Sequence, residues 1–177
     1  MSKKKILFTI NLIFGSLLLY TYYAGLSNNP DIGMDFWGGV PHTLTPYIIY
    51  SMFISALGYF FFTYYLLFKV DENSTLIFNR FNYSIFLYIY LFILIPSCLW
   101  IDLTINYIND PNSFLWLIIC LVLYTVGLSS ILLLACLYNL KPSKSSLLYK
   151  ISFIGCIFFT FHTVILDGLL WTILFHK

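Results

Sequence analysis

Asp167 is the one acidic residue set deep within a long apolar run, 151–175, and it is the first side chain in this sequence whose placement could do chemistry. It lies about 6 Å past the middle of that run at helical rise, where an ionised carboxylate costs at least ~2.5 kcal/mol. A carboxylate in such a place pairs, takes up a proton or meets a ligand. Ser152, Cys156, Thr160 and Thr163 share its face at the ~100° per residue of an α-helix. The stripe is therefore expected to point into a bundle. The plainer account is helix packing, with the carboxyl bonded to hydroxyls such as that of Tyr59. His162 lies about 140° round an α-helix from Asp167, which predicts that the two do not pair.

Other candidate groups are sparse. Asp102 falls near the outer end of another apolar run, and Asp35 and His42 belong to a loop that also carries Trp37. Asp35 and His42 alone are too few for a metal, which needs three or four converging ligands. Cys98, Cys120, Cys136 and Cys156 all stand in apolar runs without CxxC spacing and read as packing residues. No GxSxG, HExxH or phosphate-cradling glycine loop occurs, so no catalytic residue is assigned, and the sequence names no cofactor. The stretch 134–141 matches a proposed cholesterol pattern and 80–87 its reverse, but a chain so rich in Leu and Tyr produces such matches by chance.

The elements that must position these groups follow from composition. The 177 residues are 60% hydrophobic and 9% charged, against roughly 25% charged in a soluble domain, and mean hydropathy is +0.89. Apolar runs near the ~20 residues that cross a bilayer predict an all-α polytopic membrane protein. One transmembrane domain over residues 1–177 is expected, with five spans at about 6–24, 47–68, 83–105, 114–138 and 151–175. Pro96 predicts a kink in the third. The run after Lys3, Lys4 and Lys5 is longer than a signal-peptide core and ends in tyrosines, so it is read as a retained helix.

Eight of the nine cations, namely Lys3, Lys4, Lys5, Lys69, Arg80, Lys141, Lys144 and Lys150, precede span one or fall in the connections after spans two and four. The positive-inside rule then predicts a cytoplasmic N-terminus and an outside C-terminus, with Asp31, Asp35 and Asp110 outside. With no soluble face to carry a basic patch, nucleic acid is excluded as a partner. The bilayer itself is the expected partner, alongside a hydrophobic small molecule, a second copy or another membrane protein.

Stripes of small and hydroxyl residues at Ser51, Ser55, Tyr59 and Thr63, and along span five, are the kind that let helices approach closely. Gly38 and Gly39 before Val40 and Pro41 predict a shaped loop folded back on the membrane interface, where Trp37 is at home. Valine at either glycine is expected to disturb the protein more than Gly155→Ala.

Thr43, Leu44, Thr45 and Pro46, followed by Ser55, Ala56, Leu57, Gly58 and Tyr59, resemble the loop-to-helix passage of the translocator protein family, the tryptophan-rich sensory proteins. The likeness covers about twenty residues; the tryptophan-rich loop is reduced to Trp37, and span three has no Asn-Trp-Ala-Trp segment. The resemblance implies a bundle that binds porphyrins, sterols or other flat apolar molecules on one side of the membrane. The leading expectation is thus a binding or sensor protein with an outer-side pocket between spans two, three and five, under the 35–46 loop. Its lining is Trp37, His42, Tyr59, Trp100, Asp102, Asp167 and Trp171. The alternative is an accessory subunit of a larger membrane complex. A third reading is a proton-coupled carrier or membrane enzyme in which Asp167 titrates.

Overall fold

The computed structural model describes residues 2–140 and 146–176. Lys141 and Lys144, counted above among the cations of one side, lie outside the described residues, as does Lys177. Five helices are long and apolar enough to cross a membrane: α1 Lys3–Asn28, α2 Thr45–Phe68, α3 Ser84–Asn109, α4 Ser113–Asn139 and α5 Leu147–Leu174. The chain is an all-α bundle. In hydrocarbon every backbone polar group must be satisfied within its own segment, so sequences this apolar on all faces have little choice but helix. Side-chain caps open three of the five: Ser2 accepts from Lys5 N–H, Asn112 from Leu115 N–H at 2.8 Å and Ser146 from Tyr149 N–H at 3.1 Å. Pro46 occupies the first turn of α2, where its missing N–H costs little.

α3 continues through Pro96 to Asn109, a turn beyond the expected end at about Ile105. The helices pack as a ring. α3 lies against α1 and α4, α5 against α4 and α2, and α1 meets α2 through its first turns. The α2–α5 seam is the tightest. A Cβ on Gly155 would sit 2.7 Å from the Gly58 Cα, and one on Gly58 would sit 2.5 Å from the Gly155 carbonyl oxygen. Ser55 Oγ donates to the Phe158 carbonyl at 3.2 Å and Ser152 Oγ to the Phe61 carbonyl at 3.0 Å, one bond in each direction across the seam. The stripes read from the sequence as packing surfaces are used as such. Gly155, ranked above as the milder glycine to replace, also has backbone against it, while Gly38 shows the positive φ and the close backbone approach expected of the loop, its Cβ falling against the Phe175 carbonyl oxygen.

Two helices leave α geometry. α1 has a π turn at Asn11–Gly15, where Asn11 Nδ2 bonds the Leu7 carbonyl at 2.8 Å and Tyr59 donates to Asn11 Oδ1 at 2.5 Å. α5 carries a π segment at His162–Trp171. The Thr163 hydroxyl bonds the Phe159 carbonyl at 3.0 Å at its start, and Thr172 bonds the Gly168 carbonyl at 2.5 Å at its end.

The loop before α2 is a 3₁₀ segment at Pro30–Trp37, broken at Gly33, followed by Gly38 at φ 50°. It packs on α1 and α3. Gly39 N–H donates to the Phe175 carbonyl at 3.0 Å, which ties the loop to the end of α5. At the opposite end of the bundle a short hairpin, β1 Leu76–Ile77 and β2 Phe81–Asn82, joins α2 to α3.

Two carboxylates order that end. Asp71 accepts from the Ser74 hydroxyl at 2.6 Å and from Asn73 N–H at 3.1 Å, and Glu72 accepts from Lys4 N–H at 2.9 Å. These bonds hold both carboxyls below the usual range, Asp71 chiefly through Ser74 and Glu72 chiefly through Lys4. A depressed folded value stabilises above the unfolded value and is lost as pH falls through the folded one. The hairpin and the first turn of α1 should therefore loosen in acid while the spans hold. Amide protection at Lys4 and Asn73 is expected to drop as pH is lowered from about 6 to about 3. Glu72→Gln should already lower it at Lys4 at the higher pH. Protection that stays constant over this window would separate these bonds from the order of that end.

Candidate functional site

Asp167 and His162, predicted on α-helical geometry to stand apart, are paired. His162 Nε2 lies 3.5 Å from Asp167 Oδ2, with the histidine side chain 9% and the aspartate 35% exposed. The cause is the π segment. An i→i+5 hydrogen-bond pattern brings residues five apart over one another, whereas five α-helical steps turn them about 140° away. On its other side the same imidazole reaches α2, where Nδ1 is 3.1 Å from Ser51 Oγ. A Ser51–His162–Asp167 chain thus bridges two spans.

A neutral imidazole donates through one nitrogen and accepts through the other, so His162, with Ser51 at Nδ1 and a carboxylate near Nε2, has the groups to relay a proton. Serine, histidine and aspartate in this order also serve acyl transfer, but that chemistry leans on preorganised donors for the developing oxyanion. Ser51 sits inside α2, whose backbone N–H groups are committed to helical bonds. The chain is better suited to holding a polar group or a proton than to attack by Ser51.

Four residues along α5 from Asp167, Trp171 joins an aromatic group. Tyr22 of α1 belongs to it. Its ring stacks on Trp100 at 5.9 Å, and Trp100 meets Trp171 edge-on at 5.7 Å and Phe36 at 6.3 Å. Trp171 donates through Nε1 to the Phe36 carbonyl at 2.9 Å, so α5 holds the 3₁₀ segment by a second bond. Trp116 stacks on both Trp171 and Phe175. Trp37 packs against this same cluster, which is built on Val40, Ile48, Tyr107 and Ile119. The Trp100 indole N–H is buried with no hydrogen-bond partner among the described residues. An orphaned buried donor is rare enough in folded proteins to mark a place where something else binds.

Of the residues expected to line an outer site, Trp37, Trp100 and Trp171 come together, with Asp167 four residues before Trp171 on α5. The other three do not join them. Tyr59 lies in the inner cluster, its ring on Phe62, Tyr90 and Phe159 and its hydroxyl on Asn11. The bland account that tied Tyr59 to Asp167 is replaced by the histidine. Asp102 is exposed on α3, and His42 is exposed beyond the loop turn. Ser51, His162, Tyr22 and Trp116 enter the site without having been singled out for it. Ser51 stood on a recognised stripe and Trp116 is one of four tryptophans, but His162 could be found only by knowing that the helix widens. Comparison with protein-family models, curated proteins and solved structures returned no match, so the site is read from its own geometry.

Proposed function

We propose that this protein binds or senses a hydrophobic small molecule in the outer half of the bundle, with Asp167 and the Trp100 indole as its polar contacts. The observation that carries this reading is an intramembrane carboxylate, one-third exposed, four residues before Trp171 on α5, whose ring meets that of Trp100 with its unpaired buried donor. A few placed polar groups among flat apolar ones is the usual composition of a small-molecule site. The Trp171 ring is in contact with those of both Trp100 and Trp116, so a ligand replaces part of that packing. The bonds from Trp171 to Phe36 and from Gly39 to Phe175 are those that must give as the loop shifts. A ligand with an acceptor for Trp100 and a donor for Asp167 meets both needs, and the resemblance to the translocator family favours the same class: flat, porphyrin-, sterol- or lipid-like.

Solvent extraction of the purified full-length protein, with mass spectrometry of what is released, tests the proposal. An apolar compound retained at near-stoichiometric level by wild type and lost on Trp100→Phe is expected. Protein that carries nothing and whose thermal stability no flat apolar compound shifts would sink it.

The Ser51–His162–Asp167 chain specifically favours a second reading, in which ligand binding or transport is coupled to a proton held there. In either case the cation distribution favours an outer-side site and a cytoplasmic N-terminus. Cysteines at Asp35 and Arg80 should then label with an impermeant thiol reagent from opposite faces of sealed cells, Asp35→Cys from outside. Labelling of both from one face would overturn the topology.

A further inference from the structure

A groove lies at the other end, away from Asp167, and nothing in the outer site accounts for it. It has a volume of about 410 Å³ and is lined by Lys4, Lys5, Phe8 and Thr9 of α1 and by Leu67 and Phe68 of α2. Its wall is almost entirely apolar carbon, with Phe8 53% and Phe68 61% exposed, and its only charged lining residues are two lysines at the mouth. α1 and α2 touch through α1's first turns, so the groove opens sideways, at the level where the helices leave the hydrocarbon. Glu72, which accepts from the Lys4 backbone N–H, and Asp71 stand nearby but do not line it. Lys3 and Lys69 add further positive charge at this end.

We infer that this groove is a binding site for an anionic phospholipid. One acyl chain lies along Phe8, Leu67 and Phe68, and the headgroup phosphate takes the ammonium groups of Lys4 and Lys5. The charge complementarity selects that occupant. A zwitterionic lipid carries its own cation to the same mouth and gains little there. Free phosphate has no use for an apolar wall, and basic residues placed at the membrane surface each contribute roughly 1 kcal/mol toward anionic lipid.

Native mass spectrometry of the full-length protein, released from micelles doped with equal phosphatidylglycerol and phosphatidylcholine, reads this directly. Wild type is expected to retain phosphatidylglycerol preferentially, and Lys4→Gln with Lys5→Gln to reduce that preference by about 25-fold, or about five-fold per lysine. Lys69→Gln with Arg80→Gln removes the same charge from the same end but outside the groove, and should leave most of the preference intact. Phe8→Ala should lower retention of both lipids while sparing the preference. Millimolar inorganic phosphate should not compete. Equal retention of the two lipids by wild type would overturn the proposal, as would equal losses in the two double variants, which would show only diffuse surface charge. Should Lys4→Gln with Lys5→Gln fail to fold, Lys5→Gln alone carries the test, with about a five-fold loss expected.

Discussion

Gly155→Ala is expected to destabilise the bundle by about 3 kcal/mol, the upper part of the range for forcing a methyl group into filled space. The added Cβ would stand 2.7 Å from the Gly58 Cα and 3.1 Å from its carbonyl oxygen. These are backbone atoms that no rotamer change can move aside. Relief requires α2 and α5 to separate, and separation lengthens the bonds from Ser55 to Phe158 and from Ser152 to Phe61, now 3.2 and 3.0 Å. Without a hydrophobic drive between helices in lipid, close packing and such bonds are what hold a seam together. The same displacement would carry Ser51 away from His162, so damage should reach the outer site. Gly15→Ala is the internal control. Its Cβ meets nothing within 4 Å, and alanine in a helix gains up to about 1 kcal/mol over glycine. Reversible unfolding in mixed micelles should rank Gly155→Ala far below wild type and Gly15→Ala level with it or above. Equal stability of the two variants would mean that α2 and α5 do not meet at these glycines.

This ranking shows where sequence reasoning reached and where it stopped. Span number and approximate limits were legible because lipid forces helix on any apolar run of sufficient length. The hydroxyl stripes were legible as contact faces, since their 3.6-residue period is a local property. Which stripe meets which was not, because the meeting of Gly58 with Gly155 joins residues 97 positions apart and depends on the order of helices in the ring. The candidate site divided in the same way. Trp37, Trp100 and Trp171 could be placed at one end of the bundle by span counting alone. Tyr59 was drawn into that site by chemistry and removed from it by depth: Asn11, at the opposite end of α1 from Tyr22, holds its hydroxyl. The His162–Asp167 pair was missed for a sharper reason. Face arithmetic at 100° per residue is valid only while the backbone stays α-helical, and π segments, which favour functional positions, are where it fails.

Asp167 bears the largest functional prediction. Asp167→Asn keeps the size and can still bond His162 Nε2, so its stability should stay within about 1 kcal/mol of wild type. It removes the ionisable group, and co-purifying apolar ligand should fall at least ten-fold, the factor for roughly 1.4 kcal/mol of lost charge-assisted bonding. Asp167→Leu removes the partner as well. His162, 9% exposed and still held to Ser51, would then keep one ring nitrogen in apolar surroundings without its carboxylate neighbour, at a cost of about 1–3 kcal/mol. Ser51→Ala breaks the chain at its far end while leaving the carboxylate paired, and should reduce ligand retention only slightly if the carboxylate itself makes the contact. If Asn retains both stability and ligand while Leu alone destabilises, Asp167 is a packing group and the binding proposal loses its polar anchor. If Ser51→Ala and Asp167→Asn abolish retention equally, the intact proton chain is what the ligand requires, and the proton-coupled reading takes precedence. A leucine variant as stable as wild type and as well loaded would place the carboxylate among water or headgroups, outside any site the bundle encloses.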